Sequence, residues 1–182
     1  MANPVCPTDC STALPSVLFD VCAPEINLSE IQYIYIGHGN AAPFTLITDP
    51  TEWAGRLSQT ATGDKIRTLT VVADKPAPAK AEKDISLGRK VVLNKTHTLN
   101  VTIDETGTLN HDFVRNLECG GKYRIWYETQ GGLLYGGAAG IYADVFLDVI
   151  LARGREEHGT IAGQITWRSK FTEERVVSPI AH

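Results

Sequence analysis

Gly37-His-Gly-Asn-Ala-Ala42 follows a strand-like run and has the glycine spacing of a dinucleotide-binding turn. That chemistry needs a helix to begin at the glycines, so that its first amides meet the pyrophosphate. Pro43-Phe-Thr45 follows instead, and the first helix signal lies near Asp49, so no nucleotide site is expected. Gly131 to Gly140 is glycine-rich but holds no Gly-Lys-Ser/Thr, and reads as turn glycines. Asp144 and Asp148 share one face of a strand-like segment. Four residues at a rise of about 3.3 Å put them roughly 13 Å apart, too far for either arrangement of paired glycosidase carboxylates. Asp104 and Glu105 are adjacent and would point to opposite faces. The five histidines (His38, His97, His111, His158, His182) show no metal-ligand spacing, and no Gly-x-Ser-x-Gly nucleophile turn occurs. The expectation is therefore no catalytic residue, no metal ligand and no cofactor: a structural protein, not an enzyme.

Cys6 and Cys10 have a spacing that half of a zinc site would allow, but Cys22 and Cys119 do not form a second close pair. Zinc, a disulfide within the N-terminal arm and reduced thiols all stay open, with cytosolic chemistry favouring the thiols. Cys119, at the end of an expected helix, reads as a small buried residue.

The elements that would position any site are mostly strands. Over residues 141–151 the odd positions are Ile141, Ala143, Val145, Leu147, Val149 and Leu151; over 160–170, Ile161, Gly163, Ile165 and Trp167 alternate with polar residues. A period of two gives each segment a core face, and the polar stretch 153–159 between them makes a long antiparallel hairpin. Residues 31–36 carry apolar or aromatic side chains on both faces, so this strand is expected to be buried on both sides or to lie at a subunit contact. Asp49, Pro50 and Glu52 read as N-cap, first helical position and capping box of a helix reaching about Gln59. Further strands are expected over 66–73, 85–93, 98–104, 122–129 and 133–135. A short helix capped by Asn110 carries Phe113, Val114 and Leu117 and ends at Gly120-Gly121. The fold class is thus mainly β, an antiparallel sandwich or barrel with one or two short flanking helices. An extended arm spans 1–24, a single domain 25–172 with a loop at 74–84, and a C-terminal tail 173–182.

Two features point to a partner. Lys75, Pro76, Pro78 and Lys80 lie in the loop, which is either plain solvated chain or, its prolines favouring an extended conformation, a docking arm that makes these four candidate interface residues. The second face of 141–151 mixes Tyr142, Phe146 and Ile150 with Asp144 and Asp148. Partial cover by a helix or the N-terminal arm would explain such a face; otherwise the apolar three are candidate interface residues, and the two aspartates, with Glu128, are candidates to face a channel.

The 182 residues, 43% hydrophobic and 21% charged, suit one soluble core. A net charge of −4 leaves no basic footprint for nucleic acid or anionic lipid. No apolar run approaches the roughly 18 residues of a membrane span, and no signal peptide is evident. No membrane partner is expected, and folding in a cytoplasm is.

From about Ile66 to Lys170 the order of segments resembles the tail tube (major tail) proteins of long-tailed bacteriophages. The resemblance rests on His97-Thr-Leu-Asn-Val-Thr-Ile-Asp104, the helix from Asn110 to Cys119, Lys122-Tyr-Arg-Ile-Trp-Tyr-Glu128 and the hairpin to Trp167. It implies a β-sandwich with a flanking helix, whose sheets join between subunits into stacked homo-oligomeric rings. It also implies contacts with other virion proteins, transient non-specific passage of DNA, and assembly in a host bacterial cytoplasm. Head–tail connector, terminator and capsid decoration proteins, and a ligand-binding β-sandwich unrelated to phage, are the alternatives.

Overall fold

The computed structural model describes residues 17, 19, 21–24, 26–58, 63–118, 121–151, 153–154 and 158–182. Cys6, Cys10 and Cys119, and most of the arm 1–24, lie outside the described residues. In chain order the elements are β1 (Ile31–His38), α1 (Pro50–Ser58), β2 (Ile66–Asp74), β3 (Ala79–Ile85), β4 (Arg89–Ile103), α2 (Thr108–Leu117), β5 (Lys122–Thr129), β6 (Leu133–Tyr135), β7 (Ile141–Ile150), β8 (Thr160–Ser169) and β9 (Arg175–Val177). Strands β1, β2, β4, β8, β7 and β5 pair in that order, and β5 pairs back onto β1. Every pairing is antiparallel, so these strands form a closed six-stranded barrel. The mainly β expectation holds, in its barrel form. Closure pairs each of the six strands on both sides for at least part of its length.

Period-two patterning builds two cores. Ile34 and Ile36 of β1 and Ile125 and Tyr127 of β5 point into the barrel, where Leu99, Val101, Ala143, Leu147, Ile161 and Ile165 meet them; α2 closes over this core with Val114 and Leu117. Tyr35 of β1 and Trp126 of β5 point outward, where a second cluster forms with Phe44, Trp53, Ile66 and Leu134. The two apolar faces of β1 are therefore both covered within one chain, and no subunit contact is needed to explain them. Trp126 is held against the β6–β7 connection: Gly136 and Gly140 have φ of 132° and 69°, and a Cβ on either would meet its ring at 2.6 Å. The glycine-rich stretch 131–140 is thus turn glycine whose lack of side chains also makes room for a tryptophan.

Four expectations are revised. Residues 89–93 and 98–103 of the segments 85–93 and 98–104 belong to one 15-residue strand, β4, while Ile85 ends β3. The loop 74–84 is a loop only at 75–78; from Ala79 it is β3, paired along β4 from Ala79↔Thr96 to Ile85↔Arg89. Pro76 and Pro78 sit just before this ladder, where a missing N–H costs nothing. The helix α2 starts at Thr108 with Gly107 as its cap, and the Asn110 side chain instead donates to the Glu105 carbonyl at 2.9 Å. Residues 173–182 are not a free tail: β9 pairs with β6, and Val176 and Ile180 pack on the outer core.

Asp49 does cap α1, its carboxylate accepting from the Thr51 N–H at 2.8 Å. Glu52 does not complete a capping box. It accepts from the Thr45 and Leu46 amides and from Arg56. Its partial burial pushes the carboxyl pKa up, but those hydrogen bonds outweigh it and hold the group below the ordinary value.

Candidate assembly surface

The segment 37–42 is structural. β1 runs through Gly37 and His38, and the following loop is tied down by two buried arginines. Arg124 donates to the carbonyls of Gly39 and Ala139, and Arg56 to those of Ala42 and Pro43. These loop carbonyls point at guanidinium groups, and α1 begins only at Pro50, so a phosphate meets neither amides nor a helix start here.

Two bare surfaces stand out among the described residues, one strand face and one arm. On β7 the inward residues Ile141, Ala143 and Leu147 are buried, while Tyr142, Phe146 and Ile150 are 47%, 71% and 51% exposed, with Asp144 and Asp148 exposed between them. The expected apolar–acidic face therefore exists and lies on the outside of the barrel. Its charge is not purely negative: Lys122 Nζ lies 3.9 Å from Asp144, and Lys122 and Arg168 flank it in a cleft of about 460 Å³ that also contains Tyr142. Apolar residues on a water-facing strand are costly to leave uncovered, which makes this face a candidate contact.

The arm is the β3–β4 hairpin. All seven residues of β3 are exposed. Ile85, Leu87, Val91 and Leu93 present apolar side chains along it, and Leu87 at its tip is 93% exposed. Leu87 also sits at φ 66°, in the left-handed region that costs a branched L-residue about 1–2 kcal/mol. Lys80 is exposed on this arm. Lys75 is not available for a neighbour in the same way: its ammonium bonds Glu173 at 2.8 Å and lies over the Trp167 ring. Pro76 is exposed and Pro78 half-buried.

Glu128 departs from the expectation. It is 4% exposed, accepts a 2.7 Å hydrogen bond from the Tyr35 hydroxyl, and lies 3.1 Å from His182 Nε2. The His182 ring stacks on Tyr33 at 3.9 Å. Burial, and then the bond to Glu128, push the Tyr35 hydroxyl pKa far up, so it stays a donor. Glu128 fixes residues 178–182 to the outer core and does not face open solvent.

A second buried polar node was not foreseen. Glu173 accepts from Lys75 and from the Trp167 indole at 3.0 Å, and its Oε1 lies 3.1 Å from His97 Nδ1. His97 is 2% exposed, stacks on Trp167 at 5.2 Å and makes no well-aligned ring hydrogen bond among the described residues. Burial holds the His97 pKa below its ordinary value against the opposing charge of Glu173, and the Lys75 and Lys95 charges add to the lowering. Burial raises the Glu173 carboxyl, but the bond from Lys75, the Lys75 charge and His97 bring it below the ordinary value. The strand alternation marks Trp167 as inward. Nothing in the local sequence says that a glutamate six residues later folds back onto it.

Among the described residues no cluster of three His, Cys, Asp or Glu side chains is placed to hold a metal ion. No helix among them is long and apolar enough to cross a membrane. No family model, no curated protein and no solved structure matches this chain.

Proposed function

We propose that this chain is a structural subunit that self-associates into stacked rings, the tail tube of a long-tailed phage, through which DNA passes. The observation that carries this reading is the β3–β4 arm. A two-stranded hairpin is marginal in water on its own, and this one projects from the barrel with apolar side chains on display and a strained leucine at its tip. Such an arm is stabilised when it lies on a neighbour. The apolar–acidic face of β7 offers a second contact area, and the helix α2 and the β7–β8 hairpin, two of the segments on which the resemblance to tail tube proteins rests, are present. In such a ring Asp144 and Asp148 of each subunit set carboxylates toward the lumen or its rim, where they repel the phosphate backbone and keep DNA from being trapped.

Electron microscopy of the purified protein, alone and mixed with other virion proteins, tests this. Rings or tubes are the expected outcome. A protein that stays monomeric under both conditions overturns the reading, and a ring that decorates capsids without stacking favours the decoration alternative.

A further inference from the structure

One strand edge of the barrel has no partner. β2 pairs with β4 only at Val72, Ala73 and Asp74, because β4 ends at Ile103 while β2 runs back to Ile66. From Arg67 to Thr70 one edge of β2 is bonded to β1. No backbone hydrogen bond joins the other edge to any segment among the described residues. That edge faces α2 across a groove of about 340 Å³. Leu69, Val71, Phe113, Val114 and Ile161 make its walls apolar, and Asp104 and Glu105 stand at its rim. An open edge beside an apolar groove accepts an added strand: the backbone supplies the ladder, and alternate side chains of the incoming strand fill the groove. The volume lies within the range of clefts that seat a ligand.

The chain carries a segment of the matching kind. Val17, Phe19 and Val21 recur with period two and are 93%, 85% and 79% exposed, so they do not occupy the groove of their own subunit. Pro15 and Pro24 bracket the segment, which confines any ladder it forms to the residues between them. Downstream, the carbonyls of Leu28 and Glu30 accept from Gly131 and Gln130, which fixes the chain at the turn after β5.

We infer that residues 17–21 of one copy add as a strand to the β2 edge of a second copy, with Phe19 seated in the groove beneath α2. This deepens the self-association reading and rests on it only in requiring that copies meet. It does not depend on rings, on the β3–β4 arm or on DNA.

The test uses the full chain carrying Val17→Asp and Phe19→Asp, which alters only exposed positions, and a synthetic peptide spanning residues 15–24. With the peptide present, hydrogen–deuterium exchange at Thr68, Leu69, Thr70 and Val71 should slow by on the order of tenfold, and a scrambled peptide should do nothing. The double variant should also sediment as a smaller species than the unmodified chain. Protection elsewhere, or none, overturns the inference, as does unchanged self-association of the variant. Concentration-independent protection of the β2 edge in the unmodified chain overturns it too, because the segment would then dock on its own subunit. An unmodified chain that self-associates into species other than rings defeats the ring proposal alone, and the peptide titration then decides this one; a chain that never self-associates overturns both.

Discussion

At the scale of single residues the chain is held by polar groups that its strand pattern does not announce. Tyr35 reads as half of a two-faced apolar strand, yet its hydroxyl is the donor that lets Glu128 be buried. Tyr35→Phe keeps the ring and removes only that donor, leaving the carboxylate with His182 alone. It should cost about 1–3 kcal/mol in denaturant unfolding, with the expected loss greater than that of Tyr33→Phe. Glu173 and His97 set the acid response. Both have folded pKa values below their ordinary ones, 4.5 and 6.5, so the unfolded chain binds the extra protons in both cases. Stability is then full near pH 7.5, falls as pH drops through the range below 6.5 where only the unfolded histidine is protonated, and falls again below 4.5 as the glutamate follows. Urea midpoints at pH 7.5, 5.5 and 4 measure this. His97→Phe preserves a ring against Trp167 and should flatten the first step while keeping most of the second, because Lys75 still holds Glu173 down; equal pH profiles for the two proteins would remove His97 from this role. None of it was legible in the sequence. Most of these contacts join residues dozens of positions apart, and a lone histidine or glutamate carries no periodic signal.

Elements were far more legible, because alternation is a local property. The closing hairpin β7–β8 pairs as its pattern requires, with Val145 opposite Ile165, and Leu99, Val101 and Ile103 lie inward as read. The miss over residues 74–93 has a physical cause. Alternation signals a strand with one buried face, and β3 has none, so a fully solvated strand looks like loop. For the same reason the single long β4 looked like two strands, its first half being exposed and its second half buried. This arm offers a clean separation of folding from assembly. Replacing residues 82–92 by an Asn-Gly turn keeps Lys75 on Glu173 and shortens only the solvated ladder. Thermal unfolding should shift by a few degrees at most, while rings or tubes should be lost in micrographs. Leu87→Gly is the subtler form: it relieves the left-handed backbone, and so should hold or raise stability by up to about 1 kcal/mol, yet weaken assembly. At the turn before β7, Gly140→Ala forces a Cβ against Trp126 and should cost about 1–3 kcal/mol by calorimetry.

For the whole molecule, the mainly β class and the two-faced β1 were readable, whereas barrel closure was not, since it depends on which distant strands meet. The channel-facing candidates divide accordingly. Asp144 and Asp148 lie on an exposed face and Glu128 does not. Asp144→Lys with Asp148→Lys should permit assembly and slow DNA ejection by electrostatic capture, with added salt restoring part of the rate. Unchanged ejection would show that this face lines no conduit. Closure has one more consequence, and it concerns time. Tyr35 of the first strand meets Glu128 of its closing partner 93 positions later. On a ribosome, β1 must wait unpaired on that side until β5 has emerged, so the barrel cannot shut while the chain is half made. A topology dominated by such distant pairings folds slowly, in the millisecond-to-second regime. The outer core of Trp53 and Trp126 spans the same seam, and tryptophan fluorescence during refolding should therefore rise late, with ring closure, and not with the first collapse.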